Sequence, residues 1–322
     1  MVEMDKMDVM KYLDSTFSGF KAESVPSSAK FVSGKVRDIF TTEAGLVLST
    51  TDRISAFDRI LSTIPFKGEI LNRLSLFWFE NTGNIIPNHI SEKITARTIA
   101  VKKCEVLPVE VVVRGYLTGS AWRDYQEGKA VSGIELPSGM KMNQRFDTPL
   151  LTPSTKAEQG EHDMPISSAE IVSTGLVEEG LWRKVEKTAL ELFEFGSDTL
   201  ASRGLILVDT KYEFGLLGGE LVIVDEMHTP DSSRIWYADT YPELFNAGGK
   251  QREIDKEYLR QWLIEEKNFM GKGEIPQIPD EVRLEVSNRY IQAFEQITGE
   301  EFIPESLSSE DEIKAIIAYL KT

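Results

Sequence analysis

Twice in this chain an apolar run ends abruptly in charge. Leu205-Ile206-Leu207-Val208 leads into Asp209, Lys211 and Glu213, and Leu221-Val222-Ile223-Val224 leads into Asp225-Glu226. At the two-residue period of a strand, Asp209, Lys211 and Glu213 share one face. Charges at the ends of buried strands are costly unless a divalent cation or a phosphate compensates them. The pattern is that of a metal-nucleotide site. An ordinary hairpin with solvated charges at its ends fits the same residues.

Parity separates the two readings. A two-residue loop at Gly218-Gly219 would set Glu213 opposite Val224 and send Asp225 to the other face. A three-residue loop over Leu217-Gly218-Gly219, or a bulge nearby, would bring Lys211, Glu213 and Asp225 to one cleft. A shared cation site therefore predicts the odd loop.

Further segments carry groups suited to anions. Ser33-Gly34-Lys35-Val36-Arg37-Asp38 sets Lys35 and Arg37 on one strand face beside a glycine, which suits a loop over nucleotide phosphates and equally an exposed edge strand. Arg114 ends a strand that turns at Gly115 to Gly119 into a helix start, with Thr118 or Ser120 as cap. An anion is readily held there, although a capped helix and a surface arginine read the same way. Thr152 to Asp163 is dense in functional groups, among them Lys156 and His162, without a second histidine at zinc spacing. Thr229-Pro230-Asp231-Ser232-Ser233-Arg234 is a stiffened turn from which Arg234 can reach a phosphate. Neither GxxxxGK[ST] nor GxGxxG occurs, so Walker and Rossmann sites have no support.

These groups need strands and helices to hold them. The sequence predicts strands around Glu43-Ala44-Gly45, a helix over Gly68–Phe79, a strand over Glu110–Val113 after Pro108, loops from Gly128 to Ser167 and a helix over Glu178–Ser202. Helices follow over Lys256–Phe269, Val282–Ile297 and Ser309–Lys321, the last opened by a Ser309…Glu312 capping box. A net charge of −16 argues against nucleic-acid and anionic-membrane partners. The single Cys104, the acid-bearing N-terminus and the lack of a bilayer-length apolar run point to a cytoplasmic protein. The sequence does not set the oligomeric state, and a monomer is compatible with it.

Taken in order, SGKVRDIF, STTDRISAFD, PFKGEILNRLS, PVEVVVRGYLTGS, TPSTKAEQGEHD and LVDTKYEFG…VIVDEMHTPDSSR resemble the SAICAR synthetase family, in its longer, fungal-type form. The blocks run from Ser33 to Arg234. The resemblance implies an ATP-dependent ligase that joins L-aspartate to the carboxylate of 5-amino-1-(5-phosphoribosyl)imidazole-4-carboxylate (CAIR), through an acyl phosphate. It implies Glu213 and Asp225 as Mg²⁺ ligands, and Lys211 and Arg114 as catalytic groups. Lys35, Arg37, Glu110 and Lys211 would bind ATP, with adenine along Leu107–Val109. Arg114, Ser120, Lys156, His162, Asp163, Asp209, Asp231 and Arg234 would bind substrate. The implied fold is α+β: a mostly antiparallel, ATP-covering domain over residues 1–107, and a larger domain with a central sheet and C-terminal helices over 108–322. Glu213-Phe214-Gly215 also resembles a kinase DFG element, but no HRDxxxxN loop accompanies it. A nucleotide-sensing module without catalysis is the other alternative.

Overall fold

In the computed structural model, which describes residues 8–156, 164–254, 257–305 and 307–321, the N-terminal part of the chain forms short strands, and buried and half-exposed side chains alternate along Arg37–Thr41 and most of Leu46–Thr50. The first are β1 (Lys30–Ser33), β2 (Arg37–Thr41), β3 (Leu46–Thr50), β4 (Arg53–Ala56) and β5 (Arg59–Thr63). Helix α1 (Lys67–Asn81), β6 (Ile90–Lys93) and β7 (Thr98–Val101) follow. A five-stranded antiparallel sheet runs β1-β2-β3-β7-β6, and β4 pairs with β5.

Next come β8 (Glu105–Leu117), α2 (Gly119–Gln126), β9 (Gln144–Thr155), β10 (Met164–Pro165), α3 (Ser168–Ser173) and α4 (Glu179–Ala201). β11 (Leu205–Leu217), β12 (Glu220–Val224), β13 (Ser233–Tyr237) and α5 (Tyr241–Asn246) complete this part. The second sheet runs β10-β9-β8-β11-β12, with β13 also paired to β11. Trp182, Val185, Ala189, Leu192, Phe193, Gly196 and Leu200 recur at helical spacing, giving α4 one buried face, and the helix packs on β11. The chain ends in α6 (Glu257–Lys267), α7 (Asp280–Thr298) and α8 (Ser309–Tyr319). The fold is α+β.

Two compact units divide the chain, though not by one cut after residue 107. Met1–Leu76, Ile90–Lys103 and Asp255–Thr322 form one, Phe77–His89 and Cys104–Ile254 the other. The C-terminal helices thus belong with the N-terminal sheet, because Ile316 and Leu320 of α8 share a core with Phe17, Phe20, Phe40 and Val47. Glu312 is fully buried there and accepts hydrogen bonds from the Thr95 and Thr98 hydroxyls (2.5 and 2.8 Å). It therefore does not serve a capping box, and Ser308 caps α8 instead, accepting from the Asp311 amide (3.1 Å).

Two other expectations are corrected. Gln144–Thr155 is a strand rather than loop; it pairs with β8, and β10 covers its other edge only at Ser154 and Thr155. Prolines are tolerated on such an edge, which is why Pro149 and Pro153 misdirect the reading. The hairpin is also even, not odd. Leu217 pairs with Glu220 and Glu213 with Val224, so only Gly218 (φ 59°) and Gly219 (φ 86°) form the loop. Two successive positive-φ glycines make the turn whose twist matches antiparallel strands.

Candidate active site

β11 is the axis of the candidate site. β8 lines one edge, and β13 then β12 line the other. Register sets Asp209 directly between Arg114 of β8 and Arg234 of β13. Arg114 donates to Asp209 Oδ2 (2.8 Å), while Arg234 donates through Nε to Oδ1 (3.0 Å) and pairs through its terminal nitrogen with Oδ2 (2.7 Å). The remaining arms of Arg114 reach the hydroxyls of Thr152 (2.9 Å) and Ser120 (3.1 Å). Burial pulls the Arg114 pKa below its ordinary value; Asp209 opposes that shift and Arg234 adds to it. One carboxylate shared by two guanidinium groups leaves a net positive charge in a half-buried setting, suited to a phosphate or carboxylate.

Two residues along the same face of β11 the charge pattern inverts. Glu213 faces Glu110 across the strand pair, an unfavourable juxtaposition by itself. Lys211 resolves it by contacting Glu213, Glu110 (3.1 Å) and Asp225 (3.6 Å), and Lys156 donates to Glu213 (2.5 Å). Burial disfavours the ammonium of Lys211, but Asp225, Glu213 and Glu110 together outweigh it and hold its pKa above the ordinary lysine value. Three carboxylates against two lysines leave a net negative charge.

Asp225 reaches this cluster despite the even hairpin. Its backbone is left-handed (φ 67°), so the residue leaves the strand alternation that would have turned it away. Aspartate tolerates this conformation better than most residues. The expectation that parity must place Asp225 opposite Glu213 is therefore corrected: the turn is at Asp225 itself, not in the loop.

Behind the site, Tyr212 points to the other face of β11 and its hydroxyl meets His228 Nε2 (2.5 Å). Burial drives the His228 pKa down to about 3. Gly119 lies in front (φ 59°), where a Cβ would overlap the guanidinium of Arg234. From the sequence Thr152 reads only as the start of a loop dense in functional groups, and neither Gly119 nor His228 is singled out. For Gly119 the only signal is a glycine between Thr118 and Ser120 at a helix start.

Asp231 lies half-buried in the turn between β12 and β13. Thr118 starts α2 without a side-chain cap, and Ser120 serves Arg114 instead. In the other unit Lys35 bridges to Asp58 (2.5 Å), and Arg37 opens β2. His162 and Asp163 fall outside the described residues. Among those residues no cluster of three or more His, Cys, Asp or Glu is arranged as a ready metal site. Glu213, Asp225 and Glu110 nevertheless fit a hard cation: they offer carboxylate oxygens in surplus and already converge on an ammonium.

The SAICAR synthetase family model matches residues 30–275, which include every strand of both sheets. The chain belongs to the SAICAR synthetase family. Phosphoribosylaminoimidazole-succinocarboxamide synthase of Legionella pneumophila (strain Lens) is 45% identical over 289 residues, 88% of this chain and 92% of that protein. The SAICAR synthase of Saccharomyces cerevisiae, solved with SAICAR, superimposes with a TM-score of 0.79 at 35% identity, covering 90% of this chain and all of that one (100%). A type-2 SAICAR synthetase solved with ADP gives 0.65 at 25% identity, over 85% of this chain and 100% of its own. Among the described residues no helix is long and apolar enough to cross a membrane.

Proposed function

We propose that this member of the SAICAR synthetase family carries out its reaction as a phosphoryl transfer followed by an acyl transfer, on the face of β11. The protein is an ATP-dependent ligase that joins CAIR and L-aspartate into SAICAR, with release of ADP and phosphate, in purine biosynthesis. It acts in the cytosol. The observation that carries the mechanism is the pair of opposite charge clusters two residues apart on one strand, arginines around Asp209 and carboxylates around Lys211.

A carboxylate is a poor electrophile. The CAIR carboxylate oxygen attacks the γ-phosphorus, the bond to the β-phosphate oxygen breaks, and ADP leaves. The aspartate amine then attacks the acyl phosphate, the carbon–nitrogen bond forms, phosphate departs and the amine loses its proton. Such transfers depend mainly on positioning and charge stabilisation. Arg114, Arg234 and Ser120 bind the anionic groups of CAIR, and Asp209 holds the two arginines in place. Asp231, Lys156, His162 and Asp163 complete the substrate side. Lys211 meets the transferred phosphoryl group. Lys35 and Arg37 cover the triphosphate, with adenine along Leu107–Val109 and the ribose at Glu110. Glu213 and Asp225 would hold Mg²⁺, which would supply charge neutralisation for the phosphates.

Trapping tests the intermediate. Enzyme, ATP, Mg²⁺ and CAIR with hydroxylamine in place of L-aspartate should give ADP and the CAIR hydroxamate. ADP formation without hydroxamate would identify an ATPase, and neither product a binding module. A stable phosphorylated acceptor would identify a kinase.

A further inference from the structure

The block Ser49 to Asp58, STTDRISAFD, has no ligand role above, yet three of its side chains reach the loop Gly34–Val36. Thr51 donates twice to the Val36 carbonyl, from its hydroxyl (2.6 Å) and its amide (2.9 Å). Arg53 donates to the carbonyls of Gly34 (2.9 Å) and Lys35 (3.4 Å), and also to that of Ser18 (2.7 Å). Asp58 accepts from the Lys35 ammonium (2.5 Å). Three consecutive loop carbonyls are thus drawn towards one side.

The guanidinium that does this is itself fixed. Asp38, fully buried, accepts from Arg53 (2.8 Å), from the Ser33 hydroxyl (2.8 Å) and from the Phe20 amide (2.7 Å). Gly19 (φ 104°) leaves the space, since a Cβ there would overlap both Arg53 and Asp38. In a planar trans peptide the carbonyl and the following amide point in opposite directions. Drawing the Gly34 and Lys35 carbonyls inward therefore turns the Lys35 and Val36 amides the other way, where successive N–H groups favour an anion. The Lys35–Asp58 pair is more than half exposed on both sides, so it holds Lys35 only weakly and a phosphate can take the ammonium over.

We propose that Arg53, with Thr51, is a positioning residue for ATP: it shapes the Gly34–Val36 loop so that amides and Lys35 face the phosphates, without touching the nucleotide. The proposal rests on the reading that this loop covers the triphosphate. Lysine at this position keeps the charge but cannot grip several carbonyls at once.

The test compares Lys35→Ala, Arg53→Lys, Thr51→Val and Thr51→Ser, each checked by thermal unfolding. Arg53→Lys should raise the apparent KM for ATP about tenfold, while the KM values for CAIR and aspartate move less than about twofold. Thr51→Val should raise the ATP value by a smaller factor, and Thr51→Ser should restore it. If Arg53→Lys does not fold, Thr51→Val against Thr51→Ser decides. An unchanged KM for ATP in Lys35→Ala overturns the assignment of the loop to ATP. A raised value there, with wild-type ATP binding in folded Arg53→Lys and Thr51→Val, overturns the role of Arg53. Equal rises for all three substrates would mark Arg53 as a general structural residue and overturn it too.

Discussion

Asp209 and Glu213 are both carboxylates on one face of one strand, and their surroundings are opposite. Asp209 is held by two guanidinium groups from the strands on either side, with both oxygens engaged. Glu213 faces another carboxylate, shares the Lys211 ammonium with it and Asp225, and pairs with a second ammonium, that of Lys156. A planar fork fixes direction, so the first cluster is rigid and suits an anion receptor, with Asp209 orienting the arginines. Lysine is a point charge on a flexible stem, so the second cluster can rearrange around an added cation. The contrast explains why positioning and charge neutralisation can be handled by adjacent parts of one strand.

The largest break should come on the lysine side. Asp225→Asn is expected to lower turnover by about a hundredfold or more while the melting temperature changes little, since the amide fills the same space. Steady-state rates over a range of Mg²⁺, with thermal unfolding in parallel, check this. Wild-type turnover at ordinary Mg²⁺ would remove Asp225 from the site. On the arginine side, Arg114→Lys or Arg234→Lys should raise the KM for CAIR by roughly ten- to a hundredfold and that for ATP far less. Equal rises for both substrates would dissolve the distinction between the clusters.

Gly119→Ala sharpens the comparison without touching a charge. The new methyl group takes the place of the Arg234 guanidinium and also meets a positive φ. The KM for CAIR should rise by about tenfold, with a stability loss of about 1 kcal/mol; an unchanged KM would show that Arg234 has room to spare. Gly219→Val should cost about 1 kcal/mol or more in stability by chemical denaturation. Its turnover should stay near wild type, because Asp225 owes its direction to its own backbone rather than to the loop. A large fall in turnover would return that control to the hairpin.

The smallest effect lies on the far face. His228 is neutral in the folded protein, with its pKa pushed down to about 3 by burial, whereas unfolded histidine titrates near ~6.5. The unfolded state therefore takes up a proton first as pH falls. Stability attributable to His228 is complete above about 6.5 and declines by up to about 1.4 kcal/mol per unit below it, towards the folded value. Denaturation at pH 7, 6 and 5, compared with His228→Leu, isolates that slope. Identical slopes in the two proteins would refute the assignment.

Much of this was legible in the sequence, and the misses share a cause. Period-two spacing placed Asp209, Lys211 and Glu213 together because a strand leaves little freedom in where side chains point. Asp225 could not be aimed by the same rule, since a single left-handed residue breaks the alternation. β9 was hidden by its prolines, and with it the hydroxyl of Thr152 that steadies Arg114. Ser309 and Glu312 had the spacing of a cap, but Glu312 is fixed by the distant Thr95 and Thr98, which local spacing does not encode. Gly119 matters for what it lacks, and a sequence does not display clearance.

The sharing of one core by α8 and the first strands has a temporal side. During synthesis every residue of the unit spanning Phe77–His89 and Cys104–Ile254 emerges before any residue of α8. That unit can close while the chain is still growing, but Phe17, Phe20, Phe40 and Val47 must wait for Ile316 and Leu320. The chain that begins first is completed last. In a nascent protein the strands on either side of Lys35 therefore have an unfinished core, open to chaperones and proteases, until α8 arrives.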